Sequence, residues 1–200
     1  MTATSEVEGK QSTDVLIVGA GQAGSQVAMS LRLLGYQGRI LIVGDEPYLP
    51  YHRPPLSKAF LAGDDEPDSL AFRGSSAYER NAIELRLGVE VAAIDPIRRS
   101  AQLADGGSIT FDWVVLALGG TPREIQVPVT DAMSGSLVQG TRTEGVHYLR
   151  GADDAMRLRA SLRPGRRVAI AGGGFIGLES AAAAMAAGAQ VTVIELSSRL

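Results

Sequence analysis

Two glycine-rich stretches combine residue types and spacing that could do chemistry. The first is the sequence GAGQAG at residues 19–24, which follows the apolar run 15–18 and precedes a helical pattern. In such a motif Gly19 would make a tight turn, Gly21 would let a pyrophosphate approach the backbone, and Gly24 would allow the helix to pack closely on the strand. The free N–H groups and the positive dipole end of the helix N-terminus would then face the phosphates.

An acidic residue follows the next apolar run, where a ribose hydroxyl would be bound. Asp45 stands about 20 residues beyond the first glycine motif, and Glu46 is a rival because Gly44 rather than an acid ends the predicted strand. A glycine motif alone is a weak signal. Its position between a strand and a helix, with an acid downstream, favours a dinucleotide-binding site over a chance glycine turn.

The same pattern begins again near residue 167. The second motif, GGGFIG at residues 172–177, lies between another apolar run and another helical pattern, and Glu195 ends the strand that follows. Its candidate binding residues are Gly172, Gly174, Ile176 and Gly177. A carboxylate at Glu195 would accept a hydrogen bond from a free 2′-hydroxyl and repel a 2′-phosphate, so the implied ligand is NAD(H) rather than NADP(H). The alternative is that Glu195 is a solvated acid at the strand end with no ligand. Two dinucleotide sites in one chain imply electron transfer between a hydride donor and a flavin.

The composition excludes several other classes of site. The 200 residues contain no cysteine and two histidines, so we expect no disulfide, dithiol or metal centre in this stretch. The net charge is −3, which provides no basic field for nucleic acid. No apolar run approaches the length of roughly 18 residues that a membrane helix needs, and the polar start is not a signal peptide. We therefore expect a cytoplasmic protein that binds neither nucleic acid nor a membrane.

The elements that must position these motifs form two strand–helix–strand patterns of a Rossmann-like α/β fold. Continuous apolar runs predict buried parallel strands at 15–18, 39–43, 114–118, 168–171 and 191–195. Shorter alternating runs separated by turn residues predict a small antiparallel meander at 83–86, 89–94, 101–104 and 108–111. Residues 126–145 carry no periodic signal and predict a loop.

Several stretches resemble the FAD-dependent ferredoxin reductases that serve bacterial oxygenase systems, including the putidaredoxin-reductase-like members. The resemblance begins at 14–24, continues through 43–58, and resumes at 112–123, 147–150 and 172–179. Its most specific part is RPPLSK at 53–58. It covers nearly the whole chain beyond residue 13. Rubredoxin reductases and apoptosis-inducing-factor-like proteins have related patterns.

The resemblance implies a glutathione-reductase-type fold and an enzyme that transfers electrons from NADH through FAD to a [2Fe–2S] ferredoxin, serving an oxygenase or cytochrome P450 system. Carried over residue by residue, it implies FAD contacts from Ala23, Asp45, Arg53, Pro54, Lys58, Val91, Ala117, Gly119 and Arg150. Glu179 resembles the glutamate near the nicotinamide, and we expect it to form an ion pair with Lys58 beside the flavin. Two residues depart from the family pattern: Leu118 replaces a threonine, and His52 replaces a residue that is commonly acidic.

The resemblance also divides the chain into domains. We expect a disordered tail at 1–12, the first part of an FAD-binding domain at 13–150, and an incomplete NAD-binding domain at 151–200. The second pattern stops after two strands and one helix, so we expect further NAD, FAD and C-terminal interface parts beyond this stretch. A rubredoxin reductase and a flavin-binding protein of the apoptosis-inducing-factor type remain alternatives, whereas a disulfide reductase needs a cysteine near the flavin. The sequence does not identify the ferredoxin or the oxygenase.

Overall fold

The computed structural model describes residues 10–63, 66–125, 127–130, 137–140 and 145–198. The chain forms two compact units. The first unit comprises Met1–Tyr51 and Ala71–Gly119, and the second comprises His52–Leu70 and Gly120–Leu200. The segment His52–Leu70 belongs to the second unit, and the division into FAD- and NAD-binding domains stays a prediction.

The first unit is built on a six-stranded sheet. Its strands are β1 (Lys10–Val18), β2 (Ile40–Gly44), β3 (Ile83–Leu87), β4 (Val91–Asp95), β5 (Ser100–Leu103) and β6 (Ser108–Leu116), in the order β3-β2-β1-β6-β5-β4. The strands β3, β2, β1 and β6 run parallel, whereas β4, β5 and β6 pair antiparallel. Helix α1 (Gln22–Leu33) connects β1 to β2, and a short helix (Ser75–Arg80) precedes β3. The predicted α/β class is confirmed.

Residues 15–18 of β1 and 40–43 of β2 are apolar without interruption because both faces of the sheet are covered there. Leu16 and Val18 of β1 pack with Phe111 in one buried cluster. Their neighbours Val15 and Ile17 pack on the other face in a second cluster. Successive residues of a strand point to opposite faces, so the two clusters form the core on either side of the sheet.

Four predicted elements differ from the structure. The strand at 83–87 pairs parallel with β2 through Ile83 and Ile40, so its assignment to the meander was wrong; alternation predicts a strand but not the direction of its partner. The residues predicted as two strands, 108–111 and 114–118, lie mostly in one strand, β6, which runs from Ser108 to Leu116. The β1 strand begins at Lys10, inside the predicted tail, because its first residues pair with Ser108–Thr110 of β6.

The second unit contains the second nucleotide motif. Its strands are β7 (Val127–Thr130), β8 (Leu137–Gly140), β9 (Arg167–Ala171) and β10 (Gln190–Ile194). Its α-helices are a one-turn helix at Ala59–Ala62, a helix at Ala152–Ser161, and the helix Phe175–Ala186, which joins β9 to its parallel partner β10. Two 3₁₀ turns lie at Pro54–Ser57 and Pro67–Leu70. The antiparallel pair β7–β8 corrects the predicted loop at 126–145, of which residues 126, 131–136 and 141–144 lie outside the described residues.

Among the described residues, no helix combines the length and apolarity that a membrane crossing needs.

Candidate nucleotide-binding sites

The first glycine motif has the geometry that its spacing predicts. Gly19 has a φ of 114°, and a Cβ added there would lie 2.1 Å from the carbonyl oxygen of Ala117. A Cβ on Gly24 would lie 2.0 Å from the carbonyl oxygen of Gly19, so strand and helix are too close for any side chain. By contrast, a Cβ on Gly21 would meet no described atom within 4 Å. Open space therefore lies where a phosphate group would approach the backbone.

The N-terminus of α1 lies at the same turn. The helix begins at Gln22, and no side chain caps its first N–H groups. Ala23 is exposed in this first turn. Uncapped N–H groups at the positive end of a helix dipole favour an anionic ligand.

Ala117 and Gly119 lie after β6, beside this glycine turn. The N–H group of Ala117 donates to the carbonyl oxygen of Val18 over 2.8 Å, which continues the pairing of β1 and β6. Gly119 has a φ of 71°, in the region that favours glycine. Leu118, which replaces the family's threonine, is 68% exposed. The two predicted backbone contacts therefore lie next to the first motif.

The two rival acids after β2 have different surroundings. The carboxylate of Glu46 accepts a short hydrogen bond from the hydroxyl group of Tyr51. Asp45 is exposed. It directly follows Gly44, where an added Cβ would lie 2.4 Å from the Cβ of Ala20 in the glycine motif. The last residue of β2 thus lies against the motif, and Asp45 comes immediately after it.

Val91 follows a turn that contacts the end of β2, where the N–H group of Val89 donates to the carbonyl oxygen of Gly44 over 2.9 Å. Val91 begins β4, the outermost strand of the meander, and pairs with Leu103 of β5. Its side chain is partly buried against the cluster that contains Leu16 and Phe111. In the six-stranded sheet β4 is three positions from β1, so strand pairing by itself does not bring Val91 beside the glycine turn.

The second glycine motif shares with the first a positive φ at its first glycine and close helix packing at its third, but a Cβ on Gly172 would meet no described atom within 4 Å. Gly172 has a φ of 105° and donates its N–H group to the carbonyl oxygen of Ile194 over 2.8 Å. A Cβ on Gly177 would lie 2.1 Å from the carbonyl oxygen of Gly172, whereas one on Gly174 would meet no described atom within 4 Å. The helix Phe175–Ala186 begins without a side-chain cap, and Ile176 in its first turn is 58% exposed.

Glu195 holds the second motif directly. Its Oε1 accepts from the N–H group of Ser197 over 2.8 Å, and its Oε2 accepts from that of Gly173 over 2.7 Å. Hydrogen bonds from the backbone of Ser197 and then of Gly173 hold the pKa of the Glu195 carboxyl below its ordinary value. The carboxylate is therefore ionised and faces the glycine turn.

The predicted ion pair between Lys58 and Glu179 is present in the second unit. Lys58 Nζ lies 3.6 Å from Glu179 Oε1, and the side chains are 56% and 33% exposed. Sequence reasoning missed a third member: the Ser57 hydroxyl donates to Glu179 Oε2 over 2.5 Å. Its position next to Lys58 in the RPPLSK string was the available signal. The place of this ion pair beside a flavin stays a prediction.

Two further predicted FAD contacts, Arg53 and Arg150, are brought together in the second unit. Arg53 Nη1 donates to the carbonyl oxygen of Arg150 over 2.8 Å. Asp154, which was not predicted, accepts from the N–H groups of Arg150 and Gly151, each over 3.0 Å. This carboxylate at the start of the helix Ala152–Ser161 fixes the backbone that Arg53 contacts. Pro54 begins the 3₁₀ turn that follows Arg53.

The predicted residues are thus divided between the units. The first unit holds Gly19, Gly21, Ala23, Gly24, Asp45, Glu46, Val91, Ala117 and Gly119. The second unit holds Arg53, Pro54, Lys58, Arg150, Gly172, Gly174, Ile176, Gly177, Glu179 and Glu195.

Comparison with known proteins decides the family. Residues 13–200 match the family described as pyridine nucleotide-disulphide oxidoreductase. The chain belongs to this family. Membership confirms the predicted class of protein, an oxidoreductase of the pyridine-nucleotide type.

Within the pyridine nucleotide-disulphide oxidoreductases, similar proteins include ferredoxin reductases. A probable ferredoxin reductase of Castellaniella defragrans is 43% identical over 186 residues, which make up 93% of this chain and 43% of that protein. A ferredoxin reductase for the CYP199A2 system of Rhodopseudomonas palustris, known from a crystal structure, is 42% identical in sequence. Its structure matches this one with a TM-score of 0.82, over 94% of this chain and 43% of the reductase chain. A chain of the covalent putidaredoxin reductase–putidaredoxin complex is 40% identical with a TM-score of 0.79, over 94% of this chain and 43% of its own. The predicted resemblance is confirmed, and the chain spans less than half the length of these relatives.

Proposed function

We propose that the protein transfers electrons from NADH through FAD to a [2Fe–2S] ferredoxin. The observation that carries this proposal is the repeated glycine geometry. In both motifs the first glycine has a positive φ and the third leaves no space for a Cβ, whereas Gly21 and Gly174 face open space beside an uncapped helix N-terminus. The residues present therefore fit two dinucleotides. When bound, FAD would accept a hydride and release its electrons singly.

The first motif would hold FAD. The N–H groups around Gly21 and at the start of α1 would bind its pyrophosphate. Asp45 would accept from a ribose hydroxyl, since it is exposed and directly follows Gly44, which lies against the glycine motif. Ala23, Val91, Ala117, Gly119, Arg53, Pro54 and Arg150 complete the contact set that the resemblance implies. On this proposal 13–150 supplies the first part of the FAD domain.

The second motif would hold NADH, so 151–200 would belong to the NAD domain. The carboxylate of Glu195 would accept from the 2′-hydroxyl of the adenosine ribose. Glu179 and Lys58 would flank the nicotinamide and the flavin, where their opposite charges keep both side chains in place. The role of the protein is to bind and orient the two cofactors and to exclude competing reactions.

A ferredoxin is the acceptor that the chain and its relatives favour. A disulfide reductase of this fold would need cysteines just beyond the first motif, and residues 46–62 contain none. Similar proteins include a ferredoxin reductase of a CYP199A2 system and a putidaredoxin reductase in complex with putidaredoxin. A [2Fe–2S] protein takes up one electron at a time, which matches release of single electrons by a flavin. We expect the protein to act in the cytoplasm, the compartment that supplies NADH.

The test follows NADH oxidation by the full-length protein without oxygen. The reaction is run with a [2Fe–2S] ferredoxin, with a rubredoxin, and with neither, and cytochrome c serves as the final electron acceptor. We expect the [2Fe–2S] ferredoxin to stimulate cytochrome c reduction strongly. Stimulation by rubredoxin alone would favour a rubredoxin reductase. Fast turnover of a small disulfide, or an NADH-reducible flavin that passes electrons to no carrier, would contradict the proposal.

A further inference from the structure

Two consecutive residues hold the two carboxylate oxygens of Glu179. Ser57 Oγ lies 2.5 Å from Oε2, and Lys58 Nζ lies 3.6 Å from Oε1. Charge-assisted hydrogen bonds between nitrogen and oxygen are about 2.7–2.9 Å long, so the lysine forms an ion pair without a close hydrogen bond. The Lys58 side chain is also 56% exposed, which leaves it free to move in solvent. The hydroxyl group is therefore the tighter restraint on the carboxylate.

The position of Ser57 is itself well defined. The residue is 6% exposed and ends the 3₁₀ turn Pro54–Ser57. Two prolines at the start of this turn restrict its backbone, and the N–H group of Lys58 donates to the carbonyl oxygen of Pro55 over 2.9 Å. The other acceptor near the hydroxyl is the carbonyl oxygen of Pro54 at 3.5 Å, which is too distant to compete. The Ser57 proton is thus directed to Glu179.

We propose that Ser57 is a positioning residue that fixes the carboxylate of Glu179, while Lys58 supplies the opposite charge. The inference rests on the proposed function, in which Glu179 lies near the nicotinamide. Glu179 is partly exposed, and a glutamate has several rotatable bonds. Without the hydroxyl group only a mobile lysine would restrain it, so fewer molecules would hold the carboxylate in the productive place.

The experiment compares Ser57→Ala with the wild type in the full-length, FAD-loaded protein. The limiting rate of flavin reduction and the apparent affinity for NADH come from stopped-flow absorbance. We expect the limiting rate to fall by about tenfold, in the range of a hydrogen bond to a charged group, and the apparent affinity to change by less than about threefold. Ser57→Thr keeps the hydroxyl group and is expected to restore most of the rate. Ser69→Ala is the matched control, because that exposed serine of the same segment donates only to the backbone oxygen of Glu66, over 2.6 Å.

A second readout does not depend on turnover. Binding of NAD⁺ to the oxidised protein perturbs the flavin absorbance spectrum, and this difference spectrum reports the groups around the ring. We expect Ser57→Ala to alter the difference spectrum in the same direction as Glu179→Ala, and Ser69→Ala to leave it unchanged.

A double-mutant cycle decides whether Ser57 acts through Glu179. In a Glu179→Ala background, Ser57→Ala is expected to cause no further loss of rate. An equal loss in both backgrounds, or a wild-type rate in Ser57→Ala, would overturn the proposal. Flavin reduction needs no ferredoxin, so failure to reduce a ferredoxin would contradict the proposed function and leave the role of Ser57 intact. If NADH does not reduce the wild-type flavin, the proposed function fails. Identical NAD⁺ difference spectra for wild type and Ser57→Ala would then overturn the role of Ser57 as well.

Discussion

Gly24 and Gly21 of the first glycine motif have different amounts of space around them, so substitution by alanine is expected to have opposite consequences at the two positions. In Gly24→Ala the new Cβ would lie 2.0 Å from the carbonyl oxygen of Gly19 and 3.2 Å from Ile17 Cγ2. Alanine is favoured over glycine in a helix by about 1 kcal/mol. The overlap exceeds about an angstrom, however, and the oxygen of Gly19 belongs to the backbone, so strand and helix must separate. Overpacking of this kind costs about 1–3 kcal/mol or more, and the clash outweighs the helix propensity.

Gly21→Ala leaves the packing unchanged. Gly21 has a φ of −85°, which alanine adopts without strain, and its added Cβ would meet no described atom within 4 Å. The new methyl group would instead occupy the space through which a pyrophosphate approaches the N–H groups of α1. We therefore expect the apoprotein to keep its stability while the affinity for FAD falls by at least about tenfold, which corresponds to about 1.4 kcal/mol.

Thermal unfolding and FAD titration of the full-length apoproteins test this pair. Gly24→Ala is expected to lower the melting temperature by several degrees, since about 1 kcal/mol corresponds to about 2–4 °C in a domain of about 150–250 residues. Gly21→Ala is expected to melt within about a degree of the wild type. Wild-type FAD affinity in Gly21→Ala, or an unchanged melting temperature in Gly24→Ala, would refute the assignment of the two roles.

Two further predictions concern Glu195 and a buried polar pair. We expect NADH to be preferred over NADPH by at least about tenfold in kcat/KM at about pH 7, because Glu195 would face the 2′-phosphate as a like charge. The lowered pKa of Glu195 keeps it ionised at about pH 5, whereas the 2′-phosphate takes up a proton at about pH 6, so the preference should weaken below that pH. Glu195→Gln removes the charge and keeps an acceptor for the Gly173 N–H, so it should reduce the preference without unfolding the protein, and an unchanged preference would exclude Glu195. Ser25 Oγ lies 2.8 Å from the Tyr78 hydroxyl, and both residues are 1% exposed, so Ser25→Ala should lower the free energy of unfolding by about 1–3 kcal/mol. Adding Tyr78→Phe should recover part of that loss in denaturant titrations, and a fully stable Ser25→Ala would contradict a paired hydroxyl.

The sequence alone predicted the two nucleotide motifs and the strands before them. The roles of Gly19 and Gly24 follow from backbone conformation and close packing within a few residues, so spacing is enough to assign them. The parallel strands 15–18 and 40–43 appear as unbroken apolar runs because both faces of the sheet are buried. Lys58 and Glu179 were paired through the family resemblance rather than through any local pattern.

Only the tertiary structure decided which distant groups meet. Hydrophobic alternation marked residues 83–86 as a strand, but the parallel register with β2 depends on packing that alternation does not encode. Tyr51 donates to the carboxylate of Glu46, a contact that residue type and spacing do not predict. The Ser57 hydroxyl and Glu179 are separated by 122 residues along the chain, and they meet because a proline-restricted turn packs beside the helix that follows the second motif. Residue type and spacing report local conformation and burial, whereas such partners are chosen by the three-dimensional packing of segments far apart in sequence.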